Sequence, residues 1–228
     1  MTETPTDPGQ STVPTVTPEE YTRTDEELLR KGQLVTRVAV LSSHALSVGV
    51  GQQDDAHCIV RAQELGIPVV RRSTGGLGLW HSPGDVVWSL VLPRSDPRVG
   101  NDFSKAYGRL GASTVRFLEQ LGVSAAWRPP TGPPGEYCLL SGRGAVLTVA
   151  DRVIGGAAQH LTREALLHHG VLPYRLDPPR LRELFDLSPE RVERLLICLE
   201  RVTEGVRPIE LARRLHAVLA SETEPRRA

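Results

Sequence analysis

With 228 residues, 39% of them apolar, the chain can bury a substantial core without the disulfide staples that small secreted folds need. Its 27 basic and 27 acidic side chains cancel, which favours neither nucleic acid nor an acidic membrane surface, and no uncharged apolar run approaches the roughly eighteen residues of a membrane helix. Cys58, Cys138 and Cys198 are widely spaced and form no CxxC pair, which argues against a disulfide framework or a structural zinc and fits a reducing, cytoplasmic setting.

In chain order, residues 1–20 are rich in Thr and Pro and nearly free of large apolar side chains, the composition of a disordered tail. Thr24 with Glu27 three positions on predicts a capped helix start, running through Lys31. Residues 34–41 and 45–50 read as neighbouring strands, 55–65 as a helix with Cys58, Ile59, Ala62 and Leu65 on one face, and 67–70 as a short strand. Residues 85–92 predict a buried strand, 93–102 a loop, 103–121 a helix ended by Gly122, and 127–135 a Pro/Gly loop. Residues 137–140, 145–149, 152–158 and 165–172 read as strands. Helix starts are then signalled at Asp177-Pro178, Ser188-Pro189 and Arg207-Pro208. The sum is an α+β class: a mixed β-sheet flanked by helices, in one domain over 21–228.

Two segments stand out chemically. Arg71-Arg72-Ser73-Thr74-Gly75-Gly76-Leu77-Gly78-Leu79-Trp80-His81 joins two strands. Its glycines remove Cβ atoms where a backbone would approach a ligand, and its arginines offer forked donors to a carboxylate or phosphate. It is neither a P-loop nor a dinucleotide fingerprint, so alone it reads equally as a glycine-rich hairpin. Asp151-Arg152-Val153-Ile154-Gly155-Gly156-Ala157-Ala158-Gln159, followed by His168-His169-Gly170, is a strand with room against its surface, or a hairpin with glycine bulges. Trp80, Trp88 and Trp127 read as core and pocket lining, because no basic stripe accompanies them.

Taken together, the two segments resemble the lipoate-protein ligase A and octanoyltransferase family, relatives of the biotin protein ligases, over Tyr21 to the last helix. Arg71, Arg72, Thr74, Gly75, Gly76 and His81 match the family's RRxSGGGxVxH wall of the acyl pocket, with Leu77 in place of the third glycine. Ile154, Gly156, Ala158, Gln159, His169 and Gly170 match its GKKIxGSAQ and QHG-like motifs. The resemblance implies the biotin/lipoate ligase catalytic fold and transfer of an octanoyl or lipoyl group to a lysine of a lipoyl-domain or glycine-cleavage-H-like acceptor. It also implies a substrate-binding set that includes Val153, Gly155, Gly156, Ala157, His169 and Gly170. No tightly bound cofactor is expected; the acyl group is substrate, with an acyl carrier protein as donor or ATP as activator. The accessory domain of the full ligases is not read in this chain, which tilts the expectation toward thioester transfer or one part of a two-part ligase.

One departure bears on activity: Val153 occupies the position of the family's acyl-binding lysine, and valine neither donates a hydrogen bond nor carries charge. Lysine occurs only at Lys31 and Lys105. Cys138, sixteen residues before Ile154, lies where the cysteine-dependent octanoyltransferases of the family carry their nucleophile. As a thiolate it suits thioester exchange, with His81, His169, Arg71 and Arg72 as neighbours to activate it; as a small buried hydrophobe it would only pack. The rival to catalysis is a silent relative that binds the acyl group without transferring it.

Overall fold

The computed structural model describes residues 12–100, 103–129, 135–141 and 145–223. The chain starts with β1 (Thr15–Val16) and α1 (Pro18–Lys31). The segment read as a tail therefore enters the fold at its end: Val13 is buried, and β1 pairs in parallel with β2 (Val35–Leu41). The helix starts seven residues before the expected Thr24 because Thr17, Pro18 and Glu20 repeat the same capping pattern with proline at the first helical position. Thr17 and Glu20 exchange both bonds of the capping box, worth about 1 kcal/mol, while Thr24 instead donates to the Glu20 carbonyl. Gly32, at φ +64°, closes the helix in the left-handed region.

Next come β3 (Ala45–Gly49), α2 (His57–Glu64), β4 (Val69–Arg72), β5 (Leu79–His81), β6 (Val86–Pro93), α3 (Phe103–Gln120) and β7 (Ala126–Arg128). A 3-10 turn over Cys138–Leu140 precedes β8 (Val146–Val149), β9 (Arg152–Leu161) and β10 (Ala165–Leu172). The chain finishes with α4 (Pro178–Phe185), α5 (Pro189–Leu195), α6 (Leu199–Val202) and α7 (Pro208–Thr223). Two sequence expectations differ here. The run 137–140 is a turn, because Ser141 N–H closes back on the Cys138 carbonyl (3.3 Å) and only Tyr137 bridges to a neighbour, Gly78. The expected loop 127–135 opens inside β7, and 130–134 lie outside the described residues.

Among the described residues seven strands form one sheet, in the order β1-β2-β6-β10-β9-β8-β7, and three form a second, β4-β3-β5. Strand alternation gives the large sheet two apolar faces. Val38, Val40, Val86, Trp88, Leu90 and Ile154 pack with Phe117 and Leu118 of α3 and Leu211 and Leu215 of α7. Ala39, Leu41, Val87, Val153 and Val171 point the other way, toward Leu46, Val48 and Leu79 of the small sheet, Tyr21 of α1 and Leu181 and Leu184 of α4. The mixed sheets flanked by helices are as the sequence predicts. No helix among the described residues is long and apolar enough to cross a membrane.

Candidate active site

Between the large and small sheets lies a cavity of about 90 Å³. Leu41, Val87 and Val171 of the large sheet, Leu79 of the small sheet, Leu139 of the 3-10 turn and Val146 of β8 give it apolar walls, and Pro18, Tyr21 and Thr22 bring α1 to its edge. Its polar lining is Ser47, Arg72, His81, Cys138 and His169. An apolar pocket with a few converging polar groups is what a small hydrophobic substrate with one reactive end requires.

The glycine-rich loop puts Arg72 at the centre of this polar group. Strand alternation sends Arg71 and Arg72 to opposite sides of β4. Arg71 leaves the cavity: it donates to the carbonyls of Gly49 (2.9 Å) and Gln52 (2.8 Å) and pairs with Asp54. Arg72, 6% exposed, donates to the carbonyls of Gly75 (3.2 Å) and Leu77 (2.8 Å) and to Ser47 Oγ (3.2 Å), and its Nη2 lies 3.7 Å from Cys138 Sγ. Burial lowers the guanidinium pKa, with the cysteine acting in the opposite direction. Gly76 makes this approach possible: at φ +102°, a Cβ there would sit 2.7 Å from Arg72 Nη2 and 3.1 Å from Cys138 Sγ.

Cys138 is held from two sides. Its N–H donates to the Gly78 carbonyl (2.7 Å), and the preceding Glu136 accepts from the Cys58 N–H at the start of α2 (2.9 Å). Cys58 and Cys198 are buried, and burial pushes the Cys58 thiol up to about 12, the behaviour of a packing cysteine. His81 shares a hydrogen bond with Ser47 Oγ (2.9 Å); burial, then the guanidinium of Arg72, bring its pKa down to about 3, so it stays neutral. Behind it, Asp85 is buried and rises to about 7, although it accepts from the N–H groups of Ser82 (3.0 Å) and Tyr174 (2.9 Å).

β10 separates its two histidines by alternation. His168 faces α3, edge-on to Tyr107 with ring centroids 5.5 Å apart, and bonds Gln159 (3.0 Å); burial brings it to about 3. His169 faces the cavity. Its Nε2 meets Thr74 Oγ1 at 2.8 Å and its Nδ1 meets Asp25 Oδ2 at 3.0 Å, while the other oxygen of Asp25 pairs with Arg37.

Of the residues singled out in the sequence, Cys138, Arg72, His81, Gly156, Ala157, His169 and Gly170 line the cavity together. Thr74 and Gly76 stand directly behind this lining, and a Cβ on Gly75 would meet no atom within 4 Å. Gly155 is where β9 meets β10, a Cβ there falling 2.4 Å from the Val171 carbonyl. Val153 lies on the cavity side of β9 but within the apolar cluster of Leu139, Val146 and Leu196, and its carbonyl accepts from Ile197 N–H (2.9 Å). Neither Lys31 nor Lys105 lines the cavity, and Arg72 is the one arginine or lysine among its described lining residues. Sequence reading missed Ser47, Tyr21 and Asp25. For Asp25 a signal existed: Tyr21, Asp25 and Leu29 recur every four residues on the buried face of α1.

Residues 17–217 match the lipoyl protein ligase A/B catalytic domain. The octanoyltransferase LipM of Exiguobacterium sp. is 31% identical over 170 residues, 69% of this chain and 61% of that protein. LipM of Staphylococcus aureus is 28% identical over 186 residues, 75% of this chain and 66% of that protein. The chain thus spans between three-fifths and two-thirds of the length of these curated relatives. A lipoate-protein ligase A solved with ATP superposes with a TM-score of 0.70 at 22% identity, covering 92% of this chain and 83% of that one. The bi-partite lipoate protein ligase of Thermoplasma acidophilum, studied with its E2 lipoyl domain, gives 0.67 at 19% identity, with coverages of 92% and 82%. The fold is that of the lipoate-protein ligases, and the chain belongs to the lipoyl protein ligase A/B catalytic-domain family.

Proposed function

We propose that this chain moves an octanoyl or lipoyl group onto a lysine of a lipoyl-domain or glycine-cleavage-H-like protein, with Cys138 carrying the acyl group between donor and acceptor. The observation that carries this reading is Cys138 Sγ facing the buried guanidinium of Arg72 at 3.7 Å on the wall of an apolar cavity. A sulfur nucleophile that exchanges thioesters works as its thiolate, and a fixed cation beside it faces the negative charge on sulfur and on the tetrahedral oxygen. In the first half-reaction Sγ bonds to the carbonyl carbon of the donor thioester, the donor C–S bond breaks, and the carrier thiol leaves with the proton that Cys138 gave up. In the second, the acceptor amine attacks, the Sγ–C bond breaks, and the thiol regains the proton that the nitrogen loses. The apolar walls hold the hydrocarbon chain and keep water from the thioester.

The relatives named as octanoyltransferases support the acyl group, and the neighbour studied with its lipoyl domain supports the acceptor class. A single buried cation at the described lining favours a neutral thioester, such as that of an acyl carrier protein, over free acid activated with ATP. The chemistry needs a reduced thiol, which fits a cytoplasmic setting.

Intact-protein mass spectrometry after incubation with octanoyl-acyl carrier protein, beside octanoate plus ATP and beside Cys138→Ala, tests the reading. It predicts an octanoyl adduct from the carrier alone, absent in the variant. An acceptor octanoylated only with ATP, and equally by Cys138→Ala, identifies a ligase instead; no adduct or transfer in any arm identifies a silent relative.

A further inference from the structure

We propose that Asp25 is a positioning residue of the transfer site, acting through His169 and Thr74 on the glycine-rich loop that aims Arg72 at Cys138. The inference rests on the transfer reading above. Asp25 is 1% exposed although it is a carboxylate on a surface helix. A buried carboxylate is tolerated only where donors meet it, and Asp25 has one for each oxygen: Arg37 on Oδ1 and His169 Nδ1, 3.0 Å away, on Oδ2.

This arrangement fixes the ring. A carboxylate only accepts, so Nδ1 of His169 carries a proton, and the neutral tautomer that this contact selects is the one whose Nε2 keeps its lone pair. Thr74 Oγ1, 2.8 Å from Nε2, then donates to it. The Thr74 carbonyl meanwhile accepts from Val50 N–H (3.0 Å), so the loop is pinned at this residue from both the large and the small sheet. Arg72 stands two residues earlier, and the next carbonyls of the loop hold its Nη2 within 3.7 Å of Cys138 Sγ. A carboxylate on α1 is thereby joined to the Cys138 sulfur through His169, Thr74, the backbone of the glycine-rich loop and Arg72. If Asp25 served only to neutralise Arg37, the histidine and threonine contacts would be incidental.

The test compares wild type with Asp25→Asn, Asp25→Glu, Thr74→Val and the Asp25→Asn/Thr74→Val double variant. It reads the ¹⁵N shifts of the His169 ring, the rate of Cys138 alkylation by iodoacetamide, and kcat against KM for octanoyl transfer. Wild type is expected to carry its proton on Nδ1. Asparagine can present its amide N–H to Nδ1 instead, so Asp25→Asn should shift the proton toward Nε2. Alkylation and kcat should then fall about tenfold or more, with KM little changed. Asp25→Glu should recover part of the loss, and the double variant should be no worse than the poorer single variant, because both cut one chain. Unchanged alkylation and kcat in a variant whose tautomer has moved, or losses that add in the double variant, would overturn the proposal. If Asp25→Asn does not fold, Thr74→Val, which leaves the Asp25–Arg37 pair intact, carries the test: the same fall is expected, and wild-type alkylation contradicts it. Ring shifts and alkylation need no acyl substrate. A wild-type protein with both properties but no octanoyl transfer would count against the transfer reading and leave the positioning chain standing.

Discussion

On one face of the large sheet His168 is sealed against Tyr107 of α3; one residue along the same strand, His169 lies at the cavity between Asp25 and Thr74. The first face is closed by two long helices that bring Phe117, Leu118, Leu211 and Leu215 onto it, and the second is covered by a small sheet, a 3-10 turn and the edge of α1, which leave a gap. The same strands thus supply one face that closes a core and one that lines a cavity. A perturbed histidine is accordingly no mark of the cavity: His168 in the sealed face and His81 at the cavity are both held at about 3, chiefly by burial.

Substitutions can break this division, beginning with the largest effect. Arg72→Met should lower kcat/KM for acyl transfer by about 100-fold or more, because it removes the cation facing Cys138, and Arg72→Lys should recover only a minor part, since an ammonium cannot reach the loop carbonyls, Ser47 and the sulfur at once. Steady-state kinetics of the two variants checks this, and wild-type rates in Arg72→Met would remove the cation from the account. On the boundary between the faces, Gly170→Ala would put a Cβ 2.3 Å from the Trp88 ring; thermal or urea unfolding should show a loss of about 1–3 kcal/mol from overpacking.

Both faces should reveal themselves in pH dependence. His168 and His81, both near 3 in the fold, bind protons more readily once unfolded, so their contribution is complete above pH 6.5 and is lost as pH falls through 6.5 toward 3. Asp85, raised to about 7, has the opposite sign: its contribution is complete below pH 3.8 and is lost as pH rises through 7. Two histidines outweigh one aspartate between pH 4 and 6, so stability should fall on acidification. His168→Phe, which keeps the ring against Tyr107, should reduce that slope by up to about 1.4 kcal/mol per pH unit. Urea midpoints at several pH values settle it, and an unchanged slope would contradict a neutral buried His168. The smallest effect belongs to Arg71→Ala. Its partner Asp54 is exposed, so stability should change by less than about 1 kcal/mol and octanoyl transfer hardly at all.

Arg71 and Arg72 also show what a sequence can and cannot carry. Their place before the glycines, together with the family resemblance, made the loop a candidate site, but only the direction of β4 tells which of the two enters the cavity. The β9 and β10 glycines and His169, which now line the cavity or stand beside it, were singled out by the family resemblance, since small residues in a strand fit a glycine-bulged hairpin equally well. The resemblance implied a lysine where Val153 stands; that Arg72 faces Cys138 depends on a contact between segments 66 positions apart, which no local pattern shows. Asp25 escaped because a carboxylate on an acidic helix reads as solvated, and the contact that buries it spans 144 residues. The boundaries that shifted, at α1 and at the 137–140 turn, were set by a competing capping pattern and by a short apolar run with no period to distinguish strand from turn.

The most direct test of the central claim is a single-turnover chase. Protein loaded with octanoyl-acyl carrier protein, freed of excess donor and mixed with a lipoyl-domain acceptor, is followed by intact mass and by peptide mapping. The account predicts that the octanoyl group maps to Cys138 and disappears at the rate at which one acceptor lysine gains it. An adduct that stays on the cysteine while the acceptor remains unmodified, or an acceptor modified at full rate by Cys138→Ala, would contradict transfer through this sulfur.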